Sequence, residues 1–76
     1  MENEVLSILE EICGTDEVRV DMNVNLFETG LLDSLGVTEL LIEIEERLGI
    51  EIAPTQITRE DIETPNKIIK YLAGRK

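Results

Sequence analysis

Apolar residues recur every three or four positions in three stretches of this chain, and the long segment between the first two has no such period. Val5, Leu6, Ile8, Leu9, Ile12 and Cys13 form the first stripe, with Glu4, Ser7, Glu10 and Glu11 between them, the spacing that gathers apolar side chains on one helical face. It predicts a helix from Asn3 to Cys13, closed by Gly14, a residue suited to the position just past a helix. Val37, Leu40, Leu41, Ile44 and Leu48 form the second stripe, in a helix that opens at Ser34 and ends at Gly49. Glu39, Glu43 and Glu46 stand at i, i+4 and i+7 on a different face of it. Thr64, Pro65 and Asn66 mark the start of the last helix, because Thr caps free amides and Pro is tolerated at the first helical position. Ile68, Ile69 and Leu72 give that helix its buried face, with Tyr71 at the margin and Gly74 near the end.

Thr15 to Gly30 reads as a long ordered loop. Val18, Val20, Met22 and Val24 alternate as a strand over Val18 to Leu26 would, but nothing else offers that strand a partner, and lone strands are not stable. Leu26 and Phe27 are expected to pin the loop to the core, and Gly30 to supply a turn. Ile50 to Pro54 leads into a minor helix near Gln56 to Ile62, with Ile57 and Ile62 toward the core. The pattern therefore predicts an all-α, four-helix bundle of three longer helices and one short, with a long first loop, as a single domain over residues 1–76.

Composition narrows the function. A 76-residue chain has one small core, and with a single Cys and no His it has neither an internal disulfide nor the commonest metal ligand, so helix packing must stabilise it. Hydrophobic residues at 42% and charged residues at 32% describe a folding chain. No apolar run approaches the roughly 18 residues of a membrane span, and Met1, Glu2, Asn3, Glu4 lacks the layout of a signal peptide. A cytoplasmic location and no direct membrane insertion are expected. The net charge of −10 repels nucleic acid and anionic lipid, so the partners should be basic. From Pro65 to Lys76 there are four basic residues and no acidic ones, which suits the C-terminal end of a helix dipole.

The candidate chemistry lies in Gly30, Leu31, Leu32, Asp33, Ser34, Leu35, which puts a hydroxyl at the start of the second helix. Such a serine is a cap for the orphan amides, a nucleophile, or a place where another enzyme attaches a group. A nucleophile needs a base, and in a histidine-free chain this small only Lys67 or Lys70 is available. An enzyme is therefore not expected. Attachment needs only exposure, and an attached phosphate would lie at the positive end of a helix dipole. Asp33 adds like charge beside it, which makes more sense as a contact for a basic group or metal ion on the modifying enzyme. Asp21, Asn23 and Asn25 mimic the opening of a calcium loop, but Leu26 and Leu32 stand where Gly and Glu are needed, so no metal site is expected. Cys13 reads as a core residue.

Leu26, Phe27, Glu28, Thr29, Gly30, Leu31, Leu32, Asp33, Ser34, Leu35, Gly36 resembles the attachment motif of acyl and peptidyl carrier proteins, and the order of elements resembles the carrier fold over nearly the whole chain. Within that family the run Phe27 to Leu41 with Gly36, and Thr64, Pro65, Asn66, Lys67, Ile68, Ile69 with Arg59 and Asp61, resemble the D-alanyl carriers of lipoteichoic acid D-alanylation. The resemblance implies a phosphopantetheine arm on Ser34 that holds cargo as a thioester. It also implies a phosphopantetheinyl transferase, an ATP-using D-alanine ligase and a membrane acyltransferase system as partners of a monomeric carrier. Asp33, Leu35, Val37, Glu39, Glu43 and Glu46 are the expected docking surface. A carrier of another acyl or aminoacyl cargo is the alternative, and an unmodified acidic helical adaptor the reading from a different class.

Overall fold

The computed structural model describes residues 1–75. Its helices are α1 over Glu2–Cys13, α2 over Glu17–Val20, α3 over Ser34–Leu48 and α4 over Pro65–Arg75, with 3-10 turns at Pro54–Gln56 and Arg59–Ile62. Among the described residues there is no strand. The architecture is the all-α one expected, three longer helices and one short. Lys76, the last of the basic tail, lies outside the described residues.

Helix α1 is the centre of the bundle and packs against α2, α3 and α4. Val5, Ile8 and Leu9 of α1 are fully buried, as are Leu40 and Ile44 of α3 and Ile68 and Leu72 of α4. Burying a side chain of that size is worth about 1.5–3 kcal/mol, against well under 1 kcal/mol for differences in helix propensity among ordinary residues. Apolar spacing therefore decides where the long helices lie. Gly49 ends α3 in the left-handed conformation at φ 69°, where a Cβ would be strained.

Two expectations need correction. The first loop is not free of helix, since α2 forms one turn inside it. Val18 is 0% exposed, while Arg19 binds the Glu10 carboxylate and donates to Asn3 Oδ1 and Ser7 Oγ at 2.9 Å. These contacts to α1 hold a turn too short to be stable alone, and Val20, 81% exposed, ends the apparent alternation. The minor helix expected near Gln56 to Ile62 is shorter than that range, a single 3-10 turn over Arg59–Ile62. Extended backbone at Ile57 and Thr58 separates the two 3-10 turns, and Thr58 and Asp61 cap each other across the second turn. Ile62 is buried and Ile57 packs partly on the core, as expected.

The loop before α3 is tied to the entry of α4. The Leu26 amide donates to the Glu63 carbonyl at 2.7 Å, the Asn66 amide to the Met22 carbonyl at 3.0 Å, and Asn66 Nδ2 to Asn23 Oδ1 at 2.8 Å. Asp21 and Asn25 spend their side-chain oxygens on amides within the loop, a turn role rather than ligation.

Candidate functional site

The approach to α3 is built from a buried anchor, a turn and a cap. Leu26 is buried, and its carbonyl accepts from the Leu32 amide at 2.9 Å, closing the segment between them. Gly30, at φ 76°, makes the reversal that lets buried Leu32 return to the core. Asp33 is extended, at φ −125° and ψ −173°. Its Oδ1 accepts from the Gly36 amide at 2.8 Å and its carbonyl from the Val37 amide at 2.9 Å.

The cap of α3 is therefore Asp33, not Ser34. A side chain reaches the third amide of a helix from the last non-helical residue, and Ser34 is already helical. The carboxylate expected to serve a modifying enzyme has a structural bond of its own. That bond frees the serine: Ser34 is exposed, and its hydroxyl has no hydrogen-bond partner among the described residues. The amides of Ser34 and Leu35 likewise donate to no group among the described residues.

Gly36 is buried under this turn. A Cβ there would lie 2.8 Å from Leu32 Cδ1 and 3.4 Å from both Asp33 Oδ1 and Ile12 Cγ2. Glycine thus lets the cap, the loop anchor and α1 meet closely.

An open groove of about 610 Å3 begins at Ser34. Ser34, Val37 and Thr38 of α3 line it together with Ile57, Thr58 and Arg59, buried Leu32 and Ile62, and half-buried Phe27. Arg59 Cζ stands 4.5 Å from the centre of the Phe27 ring, within the range of a cation–π contact. Phe27 is thus a wall of the groove as much as a pin in the core.

The six expected docking residues do not form one surface. Val37 is half-buried on the groove side with Ser34. By helical geometry Leu35, Glu39, Glu43 and Glu46 share another strip, joined by Ile42; Leu35 is 76% and Ile42 49% exposed. Glu39 and Glu46 are exposed, but Glu43 is half-buried and bonds Arg47 at 2.7 Å, which also reaches Glu11 at 2.6 Å. The bond to Glu11, foremost, raises the Arg47 pKa above its ordinary value. Sequence reasoning missed Ile42 as an exposed position, although its seven-residue spacing from Leu35 was visible. Arg59 stood only as a point of family resemblance, and nothing local linked it to Ser34.

Cys13 is half-buried, and burial pushes its thiol pKa up. Among the described residues no acidic or thiol cluster could hold a metal ion, and no helix is long and apolar enough to cross a membrane.

Residues 3–72 match the family described as Phosphopantetheine attachment site. The chain is 48% identical to the D-alanyl carrier protein of Abiotrophia defectiva over 75 residues, which span 99% of this chain and 95% of that one. It is 45% identical to the D-alanyl carrier protein of Lacticaseibacillus casei over 69 residues, 91% of this chain and 85% of that one. A D-alanyl carrier protein of Bacillus cereus is 48% identical over 69 residues, 91% of this chain and 87% of that one.

Proposed function

The chain belongs to the phosphopantetheine-attachment family and, within it, to the D-alanyl carrier proteins, and from that membership we propose that Ser34 bears the arm of a single carrier domain over residues 1–76. Such a protein is a carrier with a covalent phosphopantetheine, a substrate of partner enzymes rather than an enzyme. When bound, the arm supplies a terminal thiol on which a D-alanyl group is held as a thioester.

The residues present fit that group. The observation that carries the assignment is the Ser34 hydroxyl, exposed and without a partner among the described residues because Asp33 has taken the cap. Ser34 supplies the ester oxygen, and the unpaired amides of Ser34 and Leu35 face the attached anion with the positive end of the α3 dipole behind them. The groove beside Ser34 gives the root of the arm a surface to lie on.

In this reading a transferase modifies Ser34, an ATP-using ligase loads D-alanine, and a membrane acyltransferase system draws on the loaded form for teichoic acid in the cell envelope. The carrier itself works as a cytoplasmic monomer. Leu35, Ile42, Glu39 and Glu46 form the docking strip, with Glu43 contributing less because Arg47 already holds it. Asp33 and Val37 flank the attachment point. Rim charges of this kind set encounter rate and salt dependence more than affinity, which suits a shuttle that must leave each partner.

Intact mass tests the assignment. The full chain incubated with coenzyme A and a phosphopantetheinyl transferase should gain one phosphopantetheine, and Ser34→Ala none; no gain in the parent chain, or gain in the variant, would overturn it. The modified chain should then accept D-alanine from its ligase and ATP. Loading by a fatty-acyl or malonyl enzyme alone would leave a carrier of another cargo.

A further inference from the structure

Arginine has an unusual status at one position of this acidic molecule. Arg19 pairs with Glu10, Arg47 with Glu11 and Glu43, and Arg75 donates to the Glu51 carbonyl at 3.0 Å. Arg59 has no carboxylate or carbonyl partner among the described residues, although the chain has 17 acidic side chains. Its guanidinium is held over the Phe27 ring, and Arg59 and Phe27 line the same groove as Ser34. Two carboxylates beside it in sequence, Glu60 and Asp61, leave it alone: Asp61 caps Thr58, and Glu60 is exposed.

A guanidinium stacked on an aromatic face keeps its edge donors free, and that edge matches the geometry of a phosphate. It is also the single cation among the residues lining the groove, whose other charged member, Asp33, has Oδ1 engaged in the cap. We infer that Arg59 is the residue that receives the phosphodiester joined to Ser34, with Phe27 holding the guanidinium in place, so that the root of the arm lies in the groove rather than free in solvent. The inference rests on Ser34 being the attachment residue. It assigns the groove one occupant, the anionic root of the arm, on charge complementarity. An exposed ion pair is weak by itself, but a tether on Ser34 keeps the anion at an effective concentration of order millimolar beside Arg59. The contact therefore orients the arm without trapping it.

Nuclear magnetic resonance of the full chain before and after modification tests this without any activity measurement. Conversion should displace the Arg59 Nε–Hε and Phe27 ring resonances and leave Arg47 Nε–Hε in place. Among modified chains, Arg59→Gln should move the 31P resonance away from its position in the parent and sharpen the methyl signals of the arm, Arg59→Lys should move it less, and Lys70→Gln should leave it in place. Inorganic phosphate at micromolar concentration should leave both resonances of the unmodified chain unmoved; movement there would overturn the assignment in favour of a free anion. Mass gain at Ser34 with Arg59 and Phe27 unmoved, and one 31P shift in parent and Arg59→Gln chains, would also overturn it. Absence of mass gain would instead remove the attachment reading beneath it. The parent comparison needs no variant to fold, and Arg59 is exposed.

Discussion

Helices α3 and α4 begin with the same device and put it to opposite ends. In each, the residue before the helix caps the third amide: Asp33 Oδ1 accepts from Gly36 at 2.8 Å, and Thr64 Oγ1 accepts from Lys67 at 3.1 Å. Beyond the cap the two starts diverge. At α4 the first residue is buried Pro65, which has no amide to leave unpaired, and the second amide is taken by the Met22 carbonyl. At α3 the first residue is exposed Ser34, and its amide and that of Leu35 have no partner among the described residues. One start is closed and ties the loop to the bundle. The other is open, and a hydroxyl stands in the opening. A capped helix start left unfinished thus offers the free hydroxyl that the attachment proposed at Ser34 requires.

Closing the open start should have the largest effect. Asp33 already has the extended backbone that a residue before proline prefers, and the first helical position tolerates proline. Ser34→Pro should therefore fold at least as stably as the parent, gaining up to about 1 kcal/mol by restricting the unfolded chain, while losing modification completely. Thermal melting and intact mass read the two halves. A melting point well below the parent's would show that the two starts differ in backbone and not only in side chains.

The third helical position is the next difference. Lys67 is exposed at α4, whereas Gly36 is buried at α3 against Leu32, Ile12 and the cap. Gly36→Lys should destabilise by roughly 2 kcal/mol through overpacking, lowering the melting point by about 8–16 °C in a domain this small. An unchanged melting point would mean that Leu32 can move aside freely.

The contrast between these starts also separates what was legible in the sequence from what was not. Gly49 acts through its own backbone, Thr64 through a cap three residues on and Pro65 through its ring, all within one turn, so the end of α3 and the start of α4 were visible locally. The opening of α3 at Ser34 was visible too, but its cap was misassigned, because Asp33 and Ser34 are adjacent capping residues and only backbone conformation chooses between them. Helix α2 was invisible because Val18 and Arg19 hold it through contacts to α1. The segment at Gln56 to Ile62 carries only two apolar residues, Ile57 and Ile62, five apart, and extended backbone at Ile57 and Thr58 confines its helix to the turn at Arg59–Ile62. Ser34, the proposed attachment residue, could be named from the chain, and the groove beside it could not. Arg59 and Phe27 meet only after the loop and the second 3-10 turn have folded against each other.

The caps themselves should be equivalent. Asp33→Ala and Thr64→Ala should each cost about 1 kcal/mol, and Asp33→Asn should cost little, because asparagine caps as well as aspartate. Modification rates then divide the roles: if Asp33 also meets the transferase, Asp33→Asn slows modification at unchanged stability, whereas Thr64→Ala leaves the rate alone. A rate for Asp33→Asn equal to the parent's would confine Asp33 to capping.

The smallest effect concerns charge at the closed start. Lys67 sits in the first turn of α4, where a cation opposes the helix dipole, and Glu63 offsets it through an ion pair one turn back. The hydrogen bond to Glu63, foremost, raises the Lys67 pKa above its ordinary 10.5. A raised folded-state pKa means that the pair's contribution is complete below the unfolded value and fades as pH rises through the folded one. The difference in melting point between the parent and Lys67→Gln should therefore be small, screened by salt and constant through neutral pH, and should close only above pH 10.5. A difference that persisted undiminished in alkali would show that Lys67 serves the closed start by packing along its stem and not by its charge.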